Sequence, residues 1–168
     1  MFAKSDHFSF WVLSYVNETT GNLIWKTHAP PHPEWFSALG KLLNIAHERE
    51  MPTVTLCHGP AALLSTCLEG TGKTECAYKD YKTMCFTDKT DAFTPKVGYT
   101  PGAMPWKCQA AIEEKGLTVL NTKETGATTV DRELISGDSP TAANNLGIVA
   151  APLMVEYATS MANKVEAL

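Results

Sequence analysis

Thr53-Val54-Thr55-Leu56-Cys57-His58-Gly59-Pro60-Ala61-Ala62-Leu63-Leu64 decides the fold, because it puts a thiol and an imidazole where an apolar strand turns into a helix. The β-branched run before Cys57 suits a short buried strand, and the alanine–leucine run after Pro60 reads as helix. In open α/β sheets ligands bind outside the carboxyl ends of the strands. A helix N-terminus there supplies backbone N–H groups and the positive end of a dipole, both of which stabilise a thiolate. An ordinary cysteine, with a pKa of about 8.5, is a few per cent thiolate at neutral pH, and a pKa near about 6 would make it mostly nucleophile. The pentapeptide from Leu56 to Pro60 fits equally a nucleophile and a buried structural thiol beside a solvent-facing histidine.

Outward from this stretch, the apolar positions Trp35, Phe36, Leu39, Leu42, Leu43 and Ala46 predict a helix over 34–50 that feeds the Cys57 strand. Ahead of it, three prolines within Ala29-Pro30-Pro31-His32-Pro33 forbid helix and central strand and mark an internal boundary. Residues 8–16 and 22–25 read as strands, the first being too short and too acidic at its start for a membrane span or signal peptide. Beyond Cys57, strands are expected over 83–87, 117–121 and 130–136, a polar loop over 88–95, and a helix over 105–115 closed by Gly116. Asp138-Ser139-Pro140 starts a long helix to about residue 162, whose apolar composition predicts burial against a sheet. Met104, Trp106 and Met154 read as core or rim packing. Glu69-Gly70-Thr71-Gly72-Lys73-Thr74 has the Gly-Lys-Thr of a phosphate loop, but position 67, where that motif needs glycine, is Cys67. A surface loop is expected there.

Strands alternating with helices predict a mostly parallel α/β sheet in three layers. The 168 residues suit one domain, and 44% hydrophobic with 19% charged residues is ordinary globular composition. A net charge of −4 without basic clusters argues against nucleic-acid and anionic-membrane partners. Five cysteines at irregular spacing make no secreted disulfide framework and no CxxC metal pair, so the reducing cytoplasm is the expected location. Asn17-Glu18-Thr19 fits a glycosylation triplet, which has no meaning there.

Five segments, in order, carry a family resemblance: Cys57-His58-Gly59-Pro60-Ala61-Ala62, Asp91-Ala92-Phe93-Thr94-Pro95, Val97-Gly98-Tyr99-Thr100-Pro101-Gly102, Asp131-Arg132-Glu133-Leu134-Ile135-Ser136-Gly137 and Ser139-Pro140-Thr141-Ala142-Ala143-Asn144. Over about residues 33–157 the chain resembles the PfpI superfamily, in its glyoxalase III or HchA-type chaperone branch, related to class I glutamine amidotransferases. The resemblance implies a flavodoxin-like three-layer sandwich, with 1–168 as a single domain, 1–32 divergent and 33–168 carrying the nucleophile elbow. It implies Cys57 as nucleophile, His58 as its acid/base neighbour, Asp91 as the group orienting the imidazole, and backbone N–H groups of His58 and Gly59 as the oxyanion site. The implied chemistry is conversion of methylglyoxal to lactate without cofactor or metal, or deglycation, as a stress response. Its partners would be a small α-oxoaldehyde, a second copy of the chain, or client proteins. The family's N-terminal half, with a catalytic Glu and the metal ligands of larger members, has no counterpart in this sequence, and Ala103 stands where Pro-Gly-His is usual. A shortened product, or strands supplied by a partner chain, is the corresponding expectation. From a different class, a holdase chaperone or a redox sensor with an oxidisable Cys57 is the alternative. Cysteine peptidase or amidase action lacks any sequence sign of a peptide groove.

Overall fold

The computed structural model describes residues 33–68, 71–98, 100, 102–103 and 107–166. The expected strands at 8–16 and 22–25, the prolines before Pro33, and Met104 and Trp106 lie outside the described residues. Helix α1 (Pro33–Glu48) leads into β1 (Thr53–Leu56), and a 3-10 helix (Gly59–Cys67) follows the Cys57-His58 turn. Then come β2 (Lys82–Thr83), the one-turn helix α2 (Asp88–Asp91), a 3-10 turn (Thr94–Val97), α3 (Cys108–Glu114) and β3 (Thr118–Val119). The chain continues through β4 (Thr128–Asp131), β5 (Leu134–Gly137) and the 24-residue α4 (Ala143–Glu166).

β1 pairs in parallel with β5, from Thr53 opposite Leu134 to Leu56 opposite Gly137. β4 lies antiparallel on the other side of β5, and β2 pairs in parallel with β3. Alternation along β5 splits the core, since successive strand side chains point to opposite faces. Leu134 joins Leu63, Tyr78, Tyr81, Ile112 and Leu117, on the face covered by the 3-10 helix and α3. Ile135 meets Leu146 and Ala150 of α4 on the other face. Helices on both faces of a small mixed sheet make the three layers expected of a flavodoxin-like fold, of which the described residues form a part.

Several local expectations are corrected. The strand expected over 130–136 is a hairpin, because Arg132 takes a left-handed conformation (φ 56°) and reverses the chain between β4 and β5. The loop expected over 88–95 holds the α2 turn and the Thr94–Val97 turn. α3 starts at Cys108. Among the α1 residues whose burial is described, 37–48, the buried positions are Gly40 and Asn44, whereas Leu42 is 60% exposed. α4 is buried only near its start: Met154 and Val155 are 51% and 65% exposed. Its length explains this, since 24 helical residues span ~36 Å while the four-residue strands beneath it span only ~13 Å.

Two features tie α1 to the rest. A Cβ on Gly40 would lie 2.1 Å from the Ser65 carbonyl oxygen and 2.7 Å from Thr71 Cγ2, so the two backbones touch where only glycine fits. Gly40→Ala must push them apart and is expected to cost roughly 1–3 kcal/mol, read as a lower denaturant midpoint at unchanged slope. At the far end of α1, His47 Nδ1 lies 2.8 Å from Glu133 Oε1, and the Tyr81 hydroxyl donates to the same carboxylate at 2.9 and 3.1 Å. This knot joins α1 to the hairpin turn, at the end of β1 away from Cys57.

Candidate active site

Cys57 follows β1 in the left-handed region (φ 60°), a conformation that costs a non-glycine residue about 1–3 kcal/mol and persists only where neighbours enforce it. Here they do. The Cys57 N–H donates to the Gly137 carbonyl at 3.0 Å, and its carbonyl accepts the Phe86 N–H at 2.9 Å. The thiol is thereby turned out of the strand at the sharp strand-to-helix bend of a nucleophile elbow.

The structure brings the three sequence-predicted side chains together. Cys57 Sγ is 3.3 Å from His58 Nδ1, and His58 Nε2 is 3.0 and 2.9 Å from the two Asp91 oxygens. All three are buried, with Cys57, His58 and Asp91 at 5%, 6% and 4% exposure. A carboxylate only accepts hydrogen bonds, so Nε2 carries a proton toward Asp91 and Nδ1 is the ring nitrogen that faces the sulfur. The Phe86 ring packs against the imidazole at 5.0 Å between centroids, tilted by 33°.

Asp91 is delivered by local structure that the motif around it explains. Its N–H donates to the Thr87 carbonyl at 3.0 Å, closing the single turn of α2. Its own carbonyl accepts the Thr94 hydroxyl at 2.8 Å, and Thr94 Oγ1 is 2.8 Å from Thr100 Oγ1. The threonine of the Asp91-Ala92-Phe93-Thr94-Pro95 motif therefore caps the turn that carries the carboxylate.

The electrostatics correct one expectation. Burial pushes the Cys57 thiol up to about 12; the His58 backbone hydrogen bond works in the opposite direction, while Asp91, Cys85 and Glu124 add to the rise. The helix dipole does not prevail because the thiol is enclosed and faces acidic groups. Cys57 rests as a thiol. Its alkylation by iodoacetamide is accordingly expected to keep accelerating above pH 9 without a plateau between pH 6 and 8, as quenched peptide mapping would show.

Of the two backbone positions expected at the oxyanion site, the His58 N–H lies against the sulfur. Gly59 is buried at the start of the 3-10 helix, where a Cβ would meet Thr55 Cβ at 3.4 Å.

Two residues of this region escaped the sequence reading. Asp138, fully buried just after β5, accepts the N–H groups of Thr125, Gly126 and Ala127 at 2.7, 3.1 and 3.1 Å and the Ser139 hydroxyl at 2.7 Å. Glu124, on the turn so anchored, accepts from Thr87 and Thr90 at the start of α2. The Asp138-Ser139-Pro140 capping signal points to the helix that follows and carries no sign of the 124–127 turn that Asp138 holds.

Fold and site define a flavodoxin-like α/β protein with a buried thiol on a strand-to-helix elbow, set against a histidine and an aspartate. Among known proteins, the chain is 38% identical over 117 residues to the protein/nucleic acid deglycase HchA of Pseudomonas aeruginosa, covering 69% of this chain and 40% of that one. It is 40% identical over 111 residues to the HchA deglycase of Staphylococcus aureus, covering 66% and 37%. The resemblance to the HchA-type branch of the PfpI superfamily is thus borne out, and the chain spans about two fifths of the length of these relatives. The solved structure of the Rapid Encystment Protein 24 kDa of Francisella tularensis superposes with a TM-score of 0.54 at 16% identity, over 71% of this chain and 48% of that one, and supports the fold. No family model matches the chain. Among the described residues no helix is long and apolar enough to cross a membrane.

Proposed function

We propose that the chain carries a cysteine-centred site for small α-oxoaldehydes, with glyoxalase III-like and deglycase-like chemistry. The observation that carries this reading is the Cys57 Sγ to His58 Nδ1 contact of 3.3 Å, backed by Asp91 on Nε2. Similarity to HchA deglycases supports the deglycase-like chemistry.

The steps follow from the resting thiol. As Sγ attacks the aldehyde carbon of methylglyoxal, its proton passes to His58 Nδ1 and Asp91 stabilises the imidazolium. The carbonyl oxygen takes up the charge against backbone N–H groups of His58 and Gly59 and then a proton, giving a thiohemiacetal. Removal of the proton on the former aldehyde carbon and its return to the neighbouring carbon, through an enediol, leaves a lactoyl thioester. Water cleaves it to lactate and restores the thiol. The net change is methylglyoxal plus water to lactate, with no external oxidant. His58 serves both proton transfers.

The test is glutathione-independent consumption of methylglyoxal with lactate detection on the purified, folded chain. Lactate in proportion to aldehyde consumed is expected, and consumption without lactate would contradict the reading. Asp91→Asn removes the carboxylate charge at His58 Nε2 and is expected to lower turnover by roughly 10²–10⁴-fold while the fold persists.

A further inference from the structure

Glu124 links the frame of the sheet to Asp91. Its Oε1 accepts the Thr87 N–H at 2.8 Å and the Thr87 hydroxyl at 2.7 Å, and its Oε2 accepts the Thr90 hydroxyl. Thr87 is the N-cap of α2 and accepts the Thr90 N–H on its own hydroxyl oxygen at 3.4 Å. One carboxylate therefore grips both ends of the turn that closes with Asp91. The grip is anchored behind. Glu124 precedes Thr125, Gly126 and Ala127, whose N–H groups all end on Asp138 directly after β5. A continuous path of hydrogen bonds and short chain links thus runs from the end of β5 through Asp138, Glu124 and Thr87 to Asp91, His58 and Cys57.

A four-residue helix cannot hold itself in place, since nucleating one turn fixes several residues for a single backbone bond. α2 needs outside constraints: its Asp88 accepts the Gln109 and Ala110 N–H groups of α3 at 2.9 and 3.1 Å, and Glu124 holds Thr87 and Thr90. All three of its contacts are donors to a carboxylate, the stronger kind of hydrogen bond. Burial pushes Glu124 up, but the hydrogen bonds from Thr90 and Thr87 outweigh it and hold the carboxyl below its ordinary range, so it stays ionised. With both oxygens occupied, it is badly placed to move protons itself.

We propose that Glu124 is a positioning residue for the site: by clamping Thr87 and Thr90 it sets Asp91 against His58 and thereby the reactivity of Cys57. This rests on the functional reading above, which assigns roles to those three side chains. A misplacement of ~1 Å at a catalytic group costs on the order of 10²-fold, so loss of the clamp is expected to lower turnover by about 10- to 100-fold with KM little changed.

The experiment is a double-mutant cycle of Glu124→Ala with Asp91→Asn, on three readouts: alkylation rate of Cys57, ¹⁵N shifts of the His58 ring, and turnover of methylglyoxal. Acting through Asp91, Glu124→Ala is expected to change the alkylation rate in the same direction as Asp91→Asn and to move the His58 signals toward those of Asp91→Asn, while the double variant turns over no more slowly than Asp91→Asn alone. Additive effects in the double variant, or unchanged His58 signals in Glu124→Ala, would overturn the proposal. If the parent chain forms no lactate, the functional reading fails while alkylation and ring signals still decide the positioning role. Should Glu124→Ala not fold, Thr90→Val removes only the hydroxyl donated to Oε2, and the same cycle with Asp91→Asn decides the outcome.

Discussion

Cys57→Ser is expected to abolish lactate formation from methylglyoxal while leaving the fold intact. The substitution exchanges sulfur for oxygen in a side chain that is 5% exposed, so packing barely changes. Chemistry changes greatly. A serine hydroxyl is a far weaker nucleophile than a thiol and gives up its proton far less readily. A loss on the order of 10⁴-fold or more is expected, measured as lactate released per chain, with circular dichroism and thermal midpoint matching the parent. Alkylation mapping on the same samples would lose the Cys57 adduct and keep that of half-buried Cys67, which reports that the reagent still acts.

The largest stability effect is expected at Asp138. Replacing it by alanine strips the acceptor from three backbone N–H groups and from the Ser139 hydroxyl, all gathered at the end of β5. Each donor left without a partner away from water costs about 1–3 kcal/mol, so a total of roughly 3–5 kcal/mol is expected, a large share of the ~5–15 kcal/mol that holds a typical domain. Asp138→Asn, which keeps one oxygen, is expected to cost less than half as much. The pH dependence follows from the same bonds. Burial pushes Asp138 up, but the Thr125, Ser139 and Ala127 hydrogen bonds dominate and lower it below the usual carboxylate range. A depressed folded-state value gives stability that is full above the unfolded value near about 4 and is lost as pH falls through the folded one. Denaturant midpoints are therefore expected to stay level down to about pH 4 and drop below it. In Asp138→Ala that acid slope is expected to be shallower.

The elbow was legible because its signals are local. The β-branched run Thr53-Val54-Thr55 reads as strand, and a Cys-His-Gly-Pro sequence after it has few conformations that suit a continuing strand. The partner of His58 was not local, since Asp91 lies 33 residues farther on, and only the family resemblance singled it out. The β4–β5 hairpin escaped because its turn, Asp131-Arg132-Glu133, has no glycine or asparagine although Arg132 takes a left-handed conformation. The direction of the Cys57 shift escaped for a different reason: enclosure of a thiol is a property of the assembled site, and the expectation of a stabilised thiolate counted the dipole without the burial. Glu124 stood alone between Lys123 and Thr125, with nothing around it to mark a carboxylate that binds two threonines some 35 residues earlier. Tertiary contacts gave both residues their roles.

A chain that matches about two fifths of the length of its deglycase relatives can hold the elbow, the histidine and the aspartate in contact because all three hang on β1, the Gly59–Cys67 helix and the α2 turn. What the site must still do is bond to an aldehyde. The most direct measurement is peptide mapping by mass spectrometry of the folded chain trapped during incubation with methylglyoxal, in parallel with lactate detection. The account predicts a transient adduct on Cys57 that decays as lactate accumulates. Adducts confined to lysine and arginine side chains, with Cys57 unmodified and no lactate formed, would contradict it.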